Sequence, residues 1–127
     1  MTNQTNNSGK PVMLYACSGG ANVGEAADLA ARRLAEAGEA TMFCLAGLGG
    51  NVEPILSAAR DARVNVVMDG CGVDCGRKTF ERCGLANFTH LRATDLGLEK
   101  AKGVRATNGQ IETLATAARE AMRAAGA

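Results

Sequence analysis

Short apolar runs alternate with longer amphipathic segments along most of this chain. The run at Val12–Ala16 is continuous, which is typical of a strand that is buried on both faces, and residues 64–68 carry the strongest strand signal in the chain. Residues 40–44 and 87–91 predict two further strands. Parallel strands need long crossover connections, and the intervening helical segments supply them. The sequence therefore predicts an α/β fold with three layers: a doubly wound, mostly parallel four-stranded sheet in the order 2-1-3-4, with helices on both faces.

Apolar residues at helical spacing predict four helices. Three of them follow Asn22, Asn51 and Asp74, whose short polar side chains are expected to cap the free amides of the first turn. The fourth covers about residues 110–125. Its apolar stripe also suits a partner protein, although packing against the sheet explains it equally well.

The first ten residues differ in composition from the rest of the chain. Residues 1–10 are polar, and we expect them to form a mobile tail, followed by a single domain over residues 11–127. Within that domain, residues 45–50 are predicted to form a turn, and residues 92–109 follow no clear pattern.

Composition narrows the class of protein. The 14 basic and 13 acidic residues give a net charge of +1, and the chain has one Tyr, three Phe and no Trp, so neither charge nor aromatic platforms favour nucleic acid. The sequence shows no secretory signal and no apolar stretch of membrane-spanning length. We therefore expect a cytoplasmic protein without a nucleic-acid or membrane partner, and the sequence identifies no protein partner.

Four of the five cysteines lie near the predicted carboxyl ends of the first three strands: Cys17, Cys44, Cys71 and Cys75. These ends meet at one edge of a parallel sheet, where such folds bind ligands. Thiols stay reduced in the cytoplasm, so clustered cysteines there are more often metal ligands or redox groups than disulfides. Zn²⁺ is the expected metal, and iron also suits four thiolates. The competing interpretation is that Cys17 and Cys44 are small buried core residues.

The loop after the third strand also permits a thiol-based enzyme. Cys71 and Arg77 have the C-x₅-R spacing of phosphatases and arsenate reductases, in which a thiolate and an arginine frame an oxyanion. Cys71 and Cys75 also have the spacing of a redox pair. We assign Cys83 to the core, and we leave His90 out of the site because a lone histidine is more often structural.

Four motifs in this order resemble the DGC-domain family, whose members are taken to bind zinc: CSGGANVG, CLAGLGG, DGCGVDC and TDLGLEK. The family is named for an Asp-Gly-Cys tripeptide, which here is Asp69, Gly70 and Cys71. The resemblance extends over nearly the whole chain after the tail.

The resemblance implies a role for specific residues. Four family cysteines are taken as zinc ligands, and they correspond to Cys17, Cys44, Cys71 and Cys75, whereas Cys83 has no counterpart. The resemblance also suggests that Asp95 and Lys100 border the cysteine pocket. It leaves the biochemical role unassigned.

Overall fold

The computed structural model describes residues 10–127, so the predicted tail lies outside the described residues except for Lys10. The strands are β1 (Val12–Ala16), β2 (Thr41–Met42), β3 (Val64–Asp69) and β4 (Thr89–Arg92). The α-helices are α1 (Asn22–Glu36), α2 (Leu45–Gly49), α3 (Glu53–Asp61), α4 (Cys75–Arg82) and α5 (Asn108–Ala124), and a 3₁₀ helix covers Ala93–Leu96. None of the described helices is long and apolar enough to cross a membrane.

The four strands form one parallel sheet in the order β2-β1-β3-β4, which confirms the predicted fold. Leu14 of β1 lies opposite Met42 on one side and Val66 on the other. β1 and β3 are the central strands, and all their residues are buried, as the continuous apolar run predicted for β1. The strand order reverses between these two strands, so the loops after them open at the same edge.

Each face of the sheet has its own core, because successive strand side chains point to opposite faces. On one face, Leu14, Val66 and Met68 pack against α1 and α5. On the other face, Tyr15 and Val67 pack against Phe80 and the shorter helices α2, α3 and α4. The apolar stripe of α5 is therefore used inside the domain.

The predicted caps of the first two helices are wrong. Ala21 occupies the N-cap position of α1, and Asn22 is a buried first residue of the helix. Val52 precedes α3, whereas Asn51 takes a left-handed conformation with a φ of 60°. Asn22 lies one residue after the cap position of its helix and Asn51 one residue before, and Asn22 uses its side chain for a tertiary contact.

The predicted cap of α4 is also different. Asp74 stands at the N-cap position with a φ of 57°, but its side chain makes no capping hydrogen bond. Asp69, at the end of β3, accepts hydrogen bonds from the Gly76 amide at 2.7 Å and from the Arg77 amide at 3.0 Å. A carboxylate near a helix N-terminus is stabilised by the free amides and the helix dipole. The cap is therefore supplied from the strand.

Two segments for which the sequence predicted neither helix nor strand have a defined course in the structure. The predicted turn at residues 45–50 is mostly the short helix α2. Residues 97–106 form an irregular segment that crosses the start of α1, and we call it the strap. The Gly103 amide donates to the Gly20 carbonyl at 3.3 Å, and Lys102 forms an isolated antiparallel β-bridge with Ala21. The strap returns the chain to the edge of the sheet that carries the cysteines.

Candidate functional site

The loops after β1 and β3 bring three cysteines to one cavity. Cys17, Cys71 and Cys75 line a space of about 320 Å³ at the carboxyl edge of the sheet. The Cys17 sulfur accepts a hydrogen bond from the Gly70 amide at 3.3 Å, which joins the two loops directly. We call this space the thiol cavity. Its position is the one that the parallel topology predicted for a ligand site.

Cys44 approaches the same region from the other side of Cys17. The two cysteines line a second, larger cavity of about 780 Å³ between α1 and α2. Cys44 is exposed and stands at the N-cap of α2, where its sulfur accepts a hydrogen bond from the Gly47 amide at 3.3 Å. Cys17 is therefore the common wall of the two cavities.

Glycine is required where the two loops meet. A Cβ atom on Gly70 would lie 2.8 Å from the backbone of both Val23 and Gly24. A Cβ atom on Gly24 would in turn lie 2.5 Å from the Gly19 nitrogen. Real Cβ atoms essentially never come this close to backbone atoms, so side chains here would push the loops apart. The small residues that follow β1 and β3 therefore keep the cysteine-bearing loops in contact.

Cys17 has the most perturbed thiol of this edge. Burial raises the pKa of the Cys17 thiol above its usual value, and hydrogen bonds from the Gly70 and Gly19 amides only partly offset this effect. Negative charge on Asp69 and Cys75 also raises the pKa of Cys17. Free Cys17 is therefore protonated at neutral pH, and a metal that binds it must displace a proton.

A second cluster lies beside the thiol cavity. Asp69, Asp74 and His90 place one ligand-type atom each within 4.8 Å of one another. His90 Nε2 donates to Asp69 at 2.8 Å and lies 3.5 Å from Asp74. We call these three residues the carboxylate–histidine cluster. Among residues 10–127, the cysteine sulfurs do not form such a close group of three.

The hydrogen-bonding positions of this second cluster are already filled. Arg92 Nε donates to Asp74 at 2.8 Å, and Arg77 lies 3.0 Å from the same carboxylate. The hydrogen bond from Arg92 lowers the pKa of Asp74, and the charges of Arg92, His90 and Arg77 act in the same direction. A cation here would compete with two guanidinium groups. The cluster holds β3, α4 and β4 together, and its geometry alone makes it a possible metal site.

These contacts also bear on the C-x₅-R interpretation. The Arg77 guanidinium contacts the buried Asp74 carboxylate, and it lies 4.0 Å from Glu81 on its other side. The cation that contacts Cys71 is Lys100, whose Nζ lies 3.4 Å from the sulfur. An arginine that is bound to a carboxylate is a poor partner for an oxyanion.

Comparison with known proteins agrees with this arrangement of motifs. The family model described as the DGC domain matches residues 13–118, which include all five cysteines and the sheet except its first residue. The chain belongs to the DGC domain family. A curated relative, the anaerobic and virulence modulator AnvM of Pseudomonas aeruginosa, is 37% identical over 91 residues, which cover 72% of this chain and 70% of the relative. No solved structure matches the chain.

The tripeptide that names the DGC domain has a separate task at each position. Asp69 caps α4 and binds His90, so its carboxylate oxygens are engaged there. Gly70 permits the close approach of the loops, and Cys71 lines the thiol cavity. The spacing of the motif follows from where β3 ends.

The remaining predictions for this edge have mixed outcomes. Lys100 lines the thiol cavity, as the resemblance implied, but Asp95 bonds Arg92 at 2.9 Å and is absent from the cavity lining. Cys83 packs against the core that contains Phe80, and its sulfur donates to the Leu48 carbonyl at 3.3 Å, in agreement with a core role.

Sequence reasoning missed the partners that organise the edge. His90 was left out, yet it binds Asp69: the register of β4 on β3 sets His90 opposite Val67, which is two residues before Asp69 and on the same face of the sheet. Asn22 was taken as a cap, yet it binds the strap. No local pattern signals either contact, because each joins residues that are far apart in the chain.

Proposed function

We propose that this DGC domain binds one Zn²⁺ through Cys17, Cys44, Cys71 and Cys75 at the carboxyl edge of its sheet. The observation that carries the proposal is the arrangement of the thiols around Cys17. Cys71 and Cys75 share the thiol cavity with it, and Cys44 shares the adjoining cavity. These sulfurs reach the edge from three strands, so one ion can join three separate loops.

The donor set fits a soft metal. Thiolates are preferred ligands of Zn²⁺, and four of them close a tetrahedral coordination sphere with Zn–S distances of about 2.3 Å. The cysteines are free, so they are available as ligands. Metal binding would draw the sulfurs closer together, and the exposed Cys44 would exchange its bond to the Gly47 amide for the ion.

The chemistry that such a centre supplies is that of a closed structural or regulatory site. Four thiolates leave no place for a hydrolytic water, and they give the zinc centre two negative charges. Asp69 is engaged by the α4 amides, and Lys100 supplies a nearby positive charge. These contacts favour holding a metal over catalysing hydrolysis.

Metal analysis tests the proposal directly. Protein purified without chelators is expected to contain about one zinc per chain by elemental analysis, and less than about a tenth of this would overturn the proposal. Iron in place of zinc would appear in the same analysis and as visible absorption from iron–thiolate charge transfer. Loading with Co²⁺ then counts the thiolates through the intensity of the sulfur-to-cobalt absorption.

Single substitutions identify the ligands. Cys17→Ser, Cys71→Ser and Cys75→Ser are expected to lose metal, and Cys44→Ser is expected to weaken binding and reduce the cobalt–thiolate intensity by about a quarter. Cys83→Ser is the matched control, because its sulfur bonds a backbone carbonyl in the core and is absent from both cavities. Retention of full metal content by all four ligand variants would contradict the assignment.

A redox pair of Cys71 and Cys75 is the second candidate function. Both thiols line the thiol cavity, and Cys75 is exposed. In the reaction, the two thiols give two electrons to hydrogen peroxide, one disulfide forms, and the peroxide is reduced to two waters. The relative is named an anaerobic and virulence modulator, and an oxidisable thiol pair in this chain would fit a role that depends on oxygen. After one equivalent of peroxide, the number of free thiols per chain should then fall by two.

A further inference from the structure

The strap is fastened to the start of α1 by a buried asparagine. The Asn22 side chain donates to the Glu99 carbonyl at 2.9 Å and accepts from the Ala101 amide at 2.6 Å. The Asn22 backbone amide also donates to the Ala101 carbonyl at 3.1 Å. One residue therefore makes three hydrogen bonds to the two residues that flank Lys100.

This fastening determines where Lys100 lies. With both neighbours held, Lys100 extends from the strap into the thiol cavity, where its Nζ contacts Cys71 at 3.4 Å. Lys102 lines the same cavity. The strap thus presents two lysines to one cavity, and within residues 10–127 it is Lys100 that hydrogen-bonds a cysteine sulfur there.

The charge of the proposed zinc centre explains how the contact between Lys100 and Cys71 would stabilise bound metal. Four thiolates around Zn²⁺ carry two negative charges, and groups that bond to ligand sulfurs tune how tightly the metal is held. Arg92 and Arg77 are bound to Asp74, so their charges are directed at that carboxylate and not at the thiols. Lys100 is the cation whose contact is directed at a ligand sulfur.

We propose that Lys100 is a positioning residue of the metal centre, held by Asn22 so that its ammonium bonds the Cys71 thiolate and strengthens zinc binding. This inference rests on the proposed zinc site. It adds to that site a cation that depends on the strap, because loss of the strap contacts would remove the cation without changing the ligands.

Zinc competition against a chromophoric chelator tests the role of Lys100. Lys100→Met is expected to weaken the apparent zinc affinity about 10-fold at low ionic strength, within the range of groups that contact a metal ligand. Added salt should reduce this difference by screening. Lys100→Arg keeps the charge and should restore affinity to within about threefold of the original protein. Lys102→Met is the matched control and should change affinity by less than about twofold.

A spectroscopic readout separates bonding from general stability. In the Co²⁺-loaded protein, loss of the N–H···S bond in Lys100→Met should move the sulfur-to-cobalt band to lower energy, whereas Lys102→Met should leave it in place. Asn22→Ala should reproduce the shift, and Lys100→Met should add nothing further in that background. Because the two lysine variants change exposed side chains, they test the proposal even if Asn22→Ala does not fold.

The outcomes distinguish the two proposals. If the original protein binds no zinc, the zinc site itself fails. If it binds zinc and Lys100→Met matches Lys102→Met in affinity and spectrum, the role of Lys100 is overturned and the zinc site stands. Additive effects of Asn22→Ala and Lys100→Met would overturn the positioning role of Asn22.

Discussion

The thiol cavity and the carboxylate–histidine cluster lie side by side at one edge of the sheet, and they differ in how far their polar groups are already used. The carboxylate–histidine cluster has the more compact geometry, with donor atoms within 4.8 Å of one another. Its carboxylates, however, bind two guanidinium groups and two backbone amides. The thiols are farther apart and have weak partners. Proximity of ligand-type atoms therefore identifies a metal site poorly unless their existing partners are counted.

The largest effect is expected on metal affinity, measured after one substitution in the thiol cavity and one in the carboxylate–histidine cluster. Cys17→Ser should weaken zinc binding at least about 100-fold. Removal of a group that only contacts a ligand costs up to about 100-fold, and removal of a ligand itself should cost at least as much. Asp74→Asn should keep the full metal content. Because the pKa of Cys17 is raised, zinc binding releases its proton, and affinity should fall as the pH is lowered. Equal metal loss in the two variants would break the comparison.

A second test measures the structural value of Asp69. Asp69→Ala removes the acceptor for two α4 amides and for His90, and we expect it to lower the free energy of unfolding by about 2 kcal/mol. Urea denaturation measures this change. Glu81→Ala alters an exposed carboxylate on the same helix and should cost less than about 0.5 kcal/mol. Similar losses in the two variants would show that the cap does not stabilise α4.

Acid unfolding provides a third test. The hydrogen bond from Arg92 lowers the pKa of Asp74 in the folded protein. The resulting stability is fully present above the unfolded pKa of about 3.9, and it is lost as the pH falls through the lower folded pKa. In Asp74→Asn, the free energy of unfolding should therefore decline less steeply below about pH 4. Parallel curves for the two proteins would contradict the assignment.

The smallest expected effect lies on the other face of the sheet. The Tyr15 hydroxyl is buried and has no hydrogen-bond partner within residues 10–127, and burial raises the pKa of Tyr15. Tyr15→Phe should therefore raise the free energy of unfolding by about 1 kcal/mol at neutral pH. It should also reduce the loss of stability above about pH 10, where the unfolded tyrosine ionises and the folded one does not. An unchanged or lower stability in urea would contradict this expectation.

The fold was predictable because its signals are local. The continuous apolar run of β1, the strong strand signal of β3 and the helical spacing between them indicate central parallel strands and crossover helices. The caps failed for a different reason. Asn22 and Asp74 have the residue type of a cap, but each finds a stronger partner elsewhere in the structure, in the strap and in Arg92.

The sequence by itself determined the order of the strands, and it determined that several cysteines follow those strands. Both depend on spacing and on the hydrophobic pattern, which act over a few residues. Only the tertiary structure decided that Asp69 caps α4, that His90 and Arg92 fill the second cluster, and that Lys100 reaches Cys71. These contacts depend on the register of paired strands and on a strap held across α1, and neither has a local signature. The thiol edge is thus specified by sequence, whereas its charge environment is set by packing.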